Sequence, residues 1–72
     1  MTQRVLLKTL VHARHVRSLE VEASSDGWQV LERDDERVVQ RQQYTDWHRV
    51  ERRVTRFERD VTELRDQGWV EP

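Results

Sequence analysis

Residues 46–69, DWHRVERRVTRFERDVTELRDQGW, decide the fold. Trp47, Val50, Val54, Phe57, Val61 and Leu64 recur at steps of three and four. That spacing lines one narrow face of an α-helix. Thr45 or Asp46 can cap its start by accepting from backbone N–H groups that have no partner in the first turn. Gly68 suits the left-handed residue that follows a helix, and Trp69 then falls where a Schellman motif places an apolar partner for Leu64. The stretch predicts one long amphipathic helix over about 46–67.

Upstream the period changes from three-and-four to two. Between Arg4 and Tyr44 apolar residues alternate with polar ones, which predicts strands over about 4–11, 15–23, 28–33 and 37–44. Val5, Leu7, Thr9 and Val11 share one face of the first strand. Leu19, Val21 and Ala23, with Arg17, share one face of the second. Ser24-Ser25-Asp26-Gly27 is a strong hairpin signal, because Asp-Gly accepts the positive backbone angles of a tight antiparallel turn. Arg33-Asp34-Asp35-Glu36 marks a further turn. The link at His12-Ala13-Arg14 has neither glycine nor proline, so the sequence leaves open whether the first strand is one strand or two. The order predicts a single α+β domain over 1–72: an antiparallel three- to four-stranded meander, then one long C-terminal amphipathic helix packed on the sheet. A heptad-like stripe also permits a coiled coil, but in a monomer the helix face must cover the sheet.

Size makes a partner attractive. A chain of 72 residues buries only about 60% of the surface its unfolded form exposes, and here 35% of residues are apolar against 38% charged. There is no cysteine to supply a disulfide or a thiolate metal site. Leu6, Leu10, Val16, Leu31 and Val39 fall out of phase with the first apolar set, so the second sheet face is not cleanly polar. That points to a covered surface, a contact between two copies. The N-terminal MTQRVLLKTLVHAR has too short an apolar run and no small-residue cleavage site for a signal peptide. No run approaches a membrane span, so the expectation is a cytoplasmic chain without membrane association.

Thirteen Lys+Arg against 14 Asp+Glu leave a formal net charge of −1. A dedicated duplex-DNA or membrane-surface binder carries a clear basic excess. Twelve of the thirteen cations are arginine and only Lys8 is lysine, a bias that suits planar, bidentate contacts. Candidate chemistry is sparse. His12 and His15 sit at a strand end without a third ligand nearby, and a metal site needs three or four. His48 falls in the first helical turn, where the dipole disfavours a cation. Asp34-Asp35-Glu36 lacks the ligand pattern of a cation loop. Ser18, Ser24 and Ser25 lack a nucleophile-elbow context, and two glycines make no phosphate loop. Trp28 and Trp47 are expected on the core side, with Trp69 latching the helix end. The expectation is a non-enzymatic protein without cofactor or metal.

The arginines are the remaining signal. On a helical wheel Arg49, Arg52, Arg53, Arg56 and Arg59 gather away from the apolar stripe, and the same side turns acidic at Asp60 and Glu63. Residues 46–57 carry a net charge of +2 and residues 58–67 a net of −2. This runs against the helix dipole, at a cost of a few tenths of a kcal/mol per exposed charge. Pairs such as Arg56–Asp60 and Arg59–Glu63 would offset part of that. Arg37 and Arg41 on the last strand, with Arg14 and Arg17, can extend the basic surface.

Three readings follow: a solvated face, a homodimer, or an anionic partner. In a twofold pair, antiparallel helices would set each basic half against an acidic one. The leading functional expectation is a homodimeric or protein-interaction module. The alternative is a single-stranded DNA- or RNA-binding domain using the helix and strand arginines. The four-strands-then-helix order is similar to that of whirly-type single-strand-binding domains, which dimerise. The ending Leu64 to Trp69, L-x-x-x-G-W, resembles that of the WGR domain, without a Trp-Gly-Arg motif. Both are likenesses of layout over most of the chain, and they imply nucleic-acid binding only as an expectation.

Overall fold

A computed structural model describes residues 3–72. Four strands, β1 (Gln3–His12), β2 (His15–Ser24), β3 (Gly27–Asp34) and β4 (Arg37–Tyr44), precede one helix, α1 (Trp47–Asp66). The strands form one antiparallel sheet in the order β1-β2-β3-β4. The expected α+β meander with a C-terminal helix on its sheet is therefore present, with four strands and the first of them unbroken.

Each hairpin turns in two residues. His12 pairs with His15, Ser24 with Gly27, and Asp34 with Arg37. The first turn works without glycine because Ala13 itself takes φ 55, a region costly for a residue with a Cβ. Asp35 and Glu36 both have positive φ, 51 and 71, as a primed hairpin turn requires. Gly27 opens β3 at φ 132, and a Cβ there would run into the Tyr44 carbonyl oxygen. Only glycine lets the end of β4 approach that closely.

The helix ends are built as the sequence suggests. The Asp46 carboxylate accepts from His48 N at 2.9 Å. At the far end Gly68 has φ 104, Trp69 N donates to Leu64 O at 3.0 Å, and Gly68 N donates to Arg65 O at 3.1 Å. These are the two bonds of a Schellman motif, and Trp69 packs against the core that contains Leu64. Val70 then pairs with Val11 on the outer edge of β1, through N···O distances of 2.8 and 2.9 Å.

The core lies between α1 and one sheet face. Leu10, Leu19, Val21 and Val30 meet Val50, Phe57, Val61 and Leu64, with Leu6, Trp28, Tyr44, Val54 and Trp69 at its margin. Each large apolar side chain buried there contributes about 1.5–3 kcal/mol. This arrangement corrects the reading of β1: Leu6 and Leu10 face the helix, whereas Leu7, Thr9 and Val11 face away. β1 carries the doublets Leu6-Leu7 and Leu10-Val11, so its alternation fits either phase. Pairing with β2 settles the phase, since a one-residue slip turns every side chain over. A bulge between Arg4 and Leu6 takes up the offset. Trp47 also departs from expectation. It is 38% exposed and lies on Trp28 at the rim, with ring centroids 5.3 Å apart.

Among the described residues the face turned away from α1 has no second layer. Along its central row stand Leu7, Glu20, Leu31 and Arg41. Glu20 is only 5% exposed; Arg33 donates to it at 3.1 Å, and Arg4 lies at 3.7 Å. The neighbouring Glu22 carboxyl, with the charges of Arg4 and Arg33, holds Glu20 below the usual carboxylate range, while Glu20 holds Glu22 above it. Around this ionic centre Leu7, Val16, Val38 and Val39 are exposed.

Candidate functional site

Helix α1 lies across one face of the sheet. It begins beside β3, where Trp47 meets Trp28, reaches β1 where Lys8 pairs with Glu58 at 3.1 Å, and ends where Trp69 meets His12. This course leaves an open groove on each flank. The one along β1, about 430 Å³, is mainly apolar, lined by Val5, Leu6, Val21, Trp47 and Val54 among others. The other, about 350 Å³, is lined by Gln40, Gln42 and Tyr44 from β4 and by Arg49, Arg52, Arg53 and Arg56 from α1.

The β4 groove follows from two periodicities meeting. Gln40, Gln42 and Tyr44 alternate along the strand and so share the face toward α1. The Tyr44 hydroxyl donates to Gln42 Oε1, which ties two of the three together. Arg49, Arg52, Arg53 and Arg56 recur at helical spacing on the flank next to them. No carboxylate lines this groove.

The seven arginines proposed from the sequence are not equivalent. Arg53 is corrected: it turns inward and is 8% exposed. Its guanidinium donates to Glu32 at 2.7 Å and to Gln40 at 3.0 Å. Arg53 sits three residues after Val50 and four before Phe57, on the shoulder of the apolar stripe, and its stem reaches over the core. Glu32 shares its sheet face with Trp28 and Val30, so a charge at that inward position requires a partner. That signal was present in the alternation of β3 at Glu32, a neighbour of Arg53 that the helical wheel misses.

Arg49, Arg52 and Arg56 stay available in the groove. None forms a salt bridge to a described residue, and the expected Arg56–Asp60 and Arg59–Glu63 pairs are absent. Arg59 faces outward on α1 with His48, Arg52 and Arg56. Arg41 stands opposite Leu31 on the far sheet face, and Arg37 pairs with Asp34 at the end of the hairpin. The structure thus gathers three free cations, against one neutralised arginine, beside an edge strand. Within the described residues β4 pairs with β3 alone, and all of it but Tyr44 is exposed.

The histidines separate. His12 stacks on Trp69 with centroids 5.5 Å apart, and Arg17 also lies over that indole. His15 Nδ1 lies 2.8 Å from Asp35, which also accepts from Val16 N at 2.8 Å. The hydrogen bond and charge of Asp35 raise the His15 pKa above its usual 6.5, and those same contacts lower that of Asp35. The acidic turn is therefore tied back onto β2. Among the described residues no three His, Asp or Glu side chains come together as metal ligands, and no helix is long and apolar enough to cross a membrane. Comparison of the chain with protein-family models, curated proteins and solved structures finds no match.

Proposed function

We propose that the chain is a non-enzymatic assembly module, a homodimer joined through the sheet face turned away from α1. The observation that carries this reading is the apolar rim of that face. Leu7 is 44% exposed, Val16 40% and Val38 39%, all around the shielded Glu20–Arg33 pair. Four strands spaced about 4.8 Å apart, at about 3.3 Å per residue, present roughly 500 Å² per copy. Two copies would bury about 1,000 Å², the lower bound of specific interfaces, which favours micromolar association.

Antiparallel packing of two α1 helices has less support. Apart from Trp47, every exposed residue of α1 is polar or charged, and surface ion pairs alone contribute about 0–1 kcal/mol each. Nucleic-acid binding draws support from the outward row Arg52, Arg56 and Arg59. Against it, the indoles are engaged: Trp28 with Trp47, and Trp69 with His12. In the arginine groove Tyr44 is the one aromatic ring, where single-strand binders stack successive bases on several.

Sedimentation velocity from 1 to 200 μM tests the proposal. The mass should rise toward twice 8.8 kDa, and Leu7→Lys should hold the chain at the monomer mass while it stays folded. A folded wild-type monomer throughout that range would end the dimer reading. Retention of a labelled oligonucleotide at low salt, lost in Arg52→Glu/Arg56→Glu, would favour the nucleic-acid reading instead.

A further inference from the structure

The β4 edge and the groove above it form a second surface, which borders the assembly face at Val38 and Arg41. We propose that this surface binds an acidic peptide segment in extended conformation, added as a fifth strand alongside β4. Two observations converge on that ligand. The outer edge of β4 has no partner among the described residues, so its outward N–H and C=O groups are a template for another strand. Directly over the helix side of that edge stand Arg49, Arg52 and Arg56, without a carboxylate partner.

Geometry sets the pattern of the ligand. An added strand directs alternate side chains toward the helix, about 6.8 Å apart. Arg49 to Arg56 spans seven residues of helix, about 10 Å at 1.5 Å per residue. Two carboxylates at positions i and i+2 fit within that span, and Gln42 stands beside them as a neutral hydrogen-bonding group. The intervening side chains fall on the opposite face, next to Val38, Val39 and Arg41. Both valines are exposed, at 39% and 55%. An apolar residue between two acidic ones therefore matches both sides of the edge, as in a segment alternating glutamate and valine.

Charge excludes the other strand source at hand. Pairing β4 with β4 of a second copy would bring Arg37, Arg41 and the groove arginines of both chains together, and like charges across adjacent strands repel. An acidic segment neutralises the same cations. A nucleic acid would satisfy the arginines but would leave the strand edge unused.

Fluorescence polarisation with a labelled nine-residue peptide alternating glutamate and valine tests this. Measurements are made with wild type and Leu7→Lys, so that the outcome is independent of dimerisation. Binding should weaken about tenfold between 50 and 300 mM salt, as screening of exposed pairs requires. It should fall at least about tenfold in Arg49→Gln/Arg52→Gln/Arg56→Gln, since exposed charge-assisted contacts are lost while the buried Arg53 pair stays intact. A central proline in the peptide, which removes a ladder hydrogen bond, should abolish binding, and amide shifts should map to Arg37–Tyr44. No binding at 50 mM salt would overturn the proposal. So would tolerance of the proline, shifts centred on β1, or tighter binding of an oligonucleotide of equal charge.

Discussion

Replacing Arg53 with alanine separates the arginine that holds the fold from those that face a partner. The guanidinium makes two hydrogen bonds, at 2.7 Å to Glu32 and 3.0 Å to Gln40, and the Arg53 and Glu32 side chains are 8% and 16% exposed. The charge-assisted bond is worth about 1.5–3 kcal/mol and the other about 1 kcal/mol. Water that reaches Glu32 after truncation recovers part of this, so Arg53→Ala should cost about 2–3 kcal/mol. A chain of this size has about 4–11 kcal/mol of stability in all, and the melting temperature should fall by about 10–20 °C. Urea and thermal unfolding, followed by tryptophan fluorescence at one protein concentration, read the effect. Arg52→Ala and Arg56→Ala should each stay within about 0.5 kcal/mol of wild type. In a Glu32→Gln background Arg53→Ala should cost about 1–2 kcal/mol less than in wild type. If Arg53→Ala behaved like Arg52→Ala, Arg53 would belong to the exposed set and the division of the arginines would be wrong.

Two further outcomes follow from local geometry. Ala13→Gly should stabilise the chain by about 0.5–1 kcal/mol, because Ala13 holds φ 55 in a tight turn; denaturant midpoints measure it. The His15–Asp35 contact should depend on pH at both ends. His15 has a raised pKa, so its contribution is full below the usual 6.5 and is lost as pH rises through the folded value. Asp35 has a lowered one, so its contribution is present above the usual 3.8 and is lost as pH falls through the folded value. An NMR titration should place the His15 midpoint above 6.5, and Asp35→Asn should lower it.

The elements were legible because their local signals agree. The Trp47–Leu64 stripe, the Asp46 cap and the Gly68-Trp69 stop each point to one helix, and each is formed as read. Asp26-Gly27 and the acidic turn both mark hairpins, but only Asp35 and Glu36 take positive φ within the turn; Asp26 does not, and Gly27, at φ 132, already opens β3. The phase of β1 was not legible, because Leu6-Leu7 and Leu10-Val11 put apolar side chains on both faces and only pairing with β2 chooses between them. Ala13 hides its turn for a different reason, since tertiary pairing holds an alanine where glycine is the usual signal. Within the candidate site, the helical wheel gathered the arginines correctly by angle but could not show which shoulder lies over the sheet. Arg53 was misplaced for that reason. The β4 groove itself depends on how α1 is set against β4, which no single periodicity encodes.

Contacts between copies show whether the face turned away from α1 joins two chains. In a mixture of isotope-labelled and unlabelled chains at 1 mM, filtered NOE spectra report only protons that touch across two molecules. Cross-peaks should involve Leu7, Val16 and Val38, on the face away from α1. Cross-peaks confined to Val54 and Trp47, or none at all from a folded protein, would contradict the account.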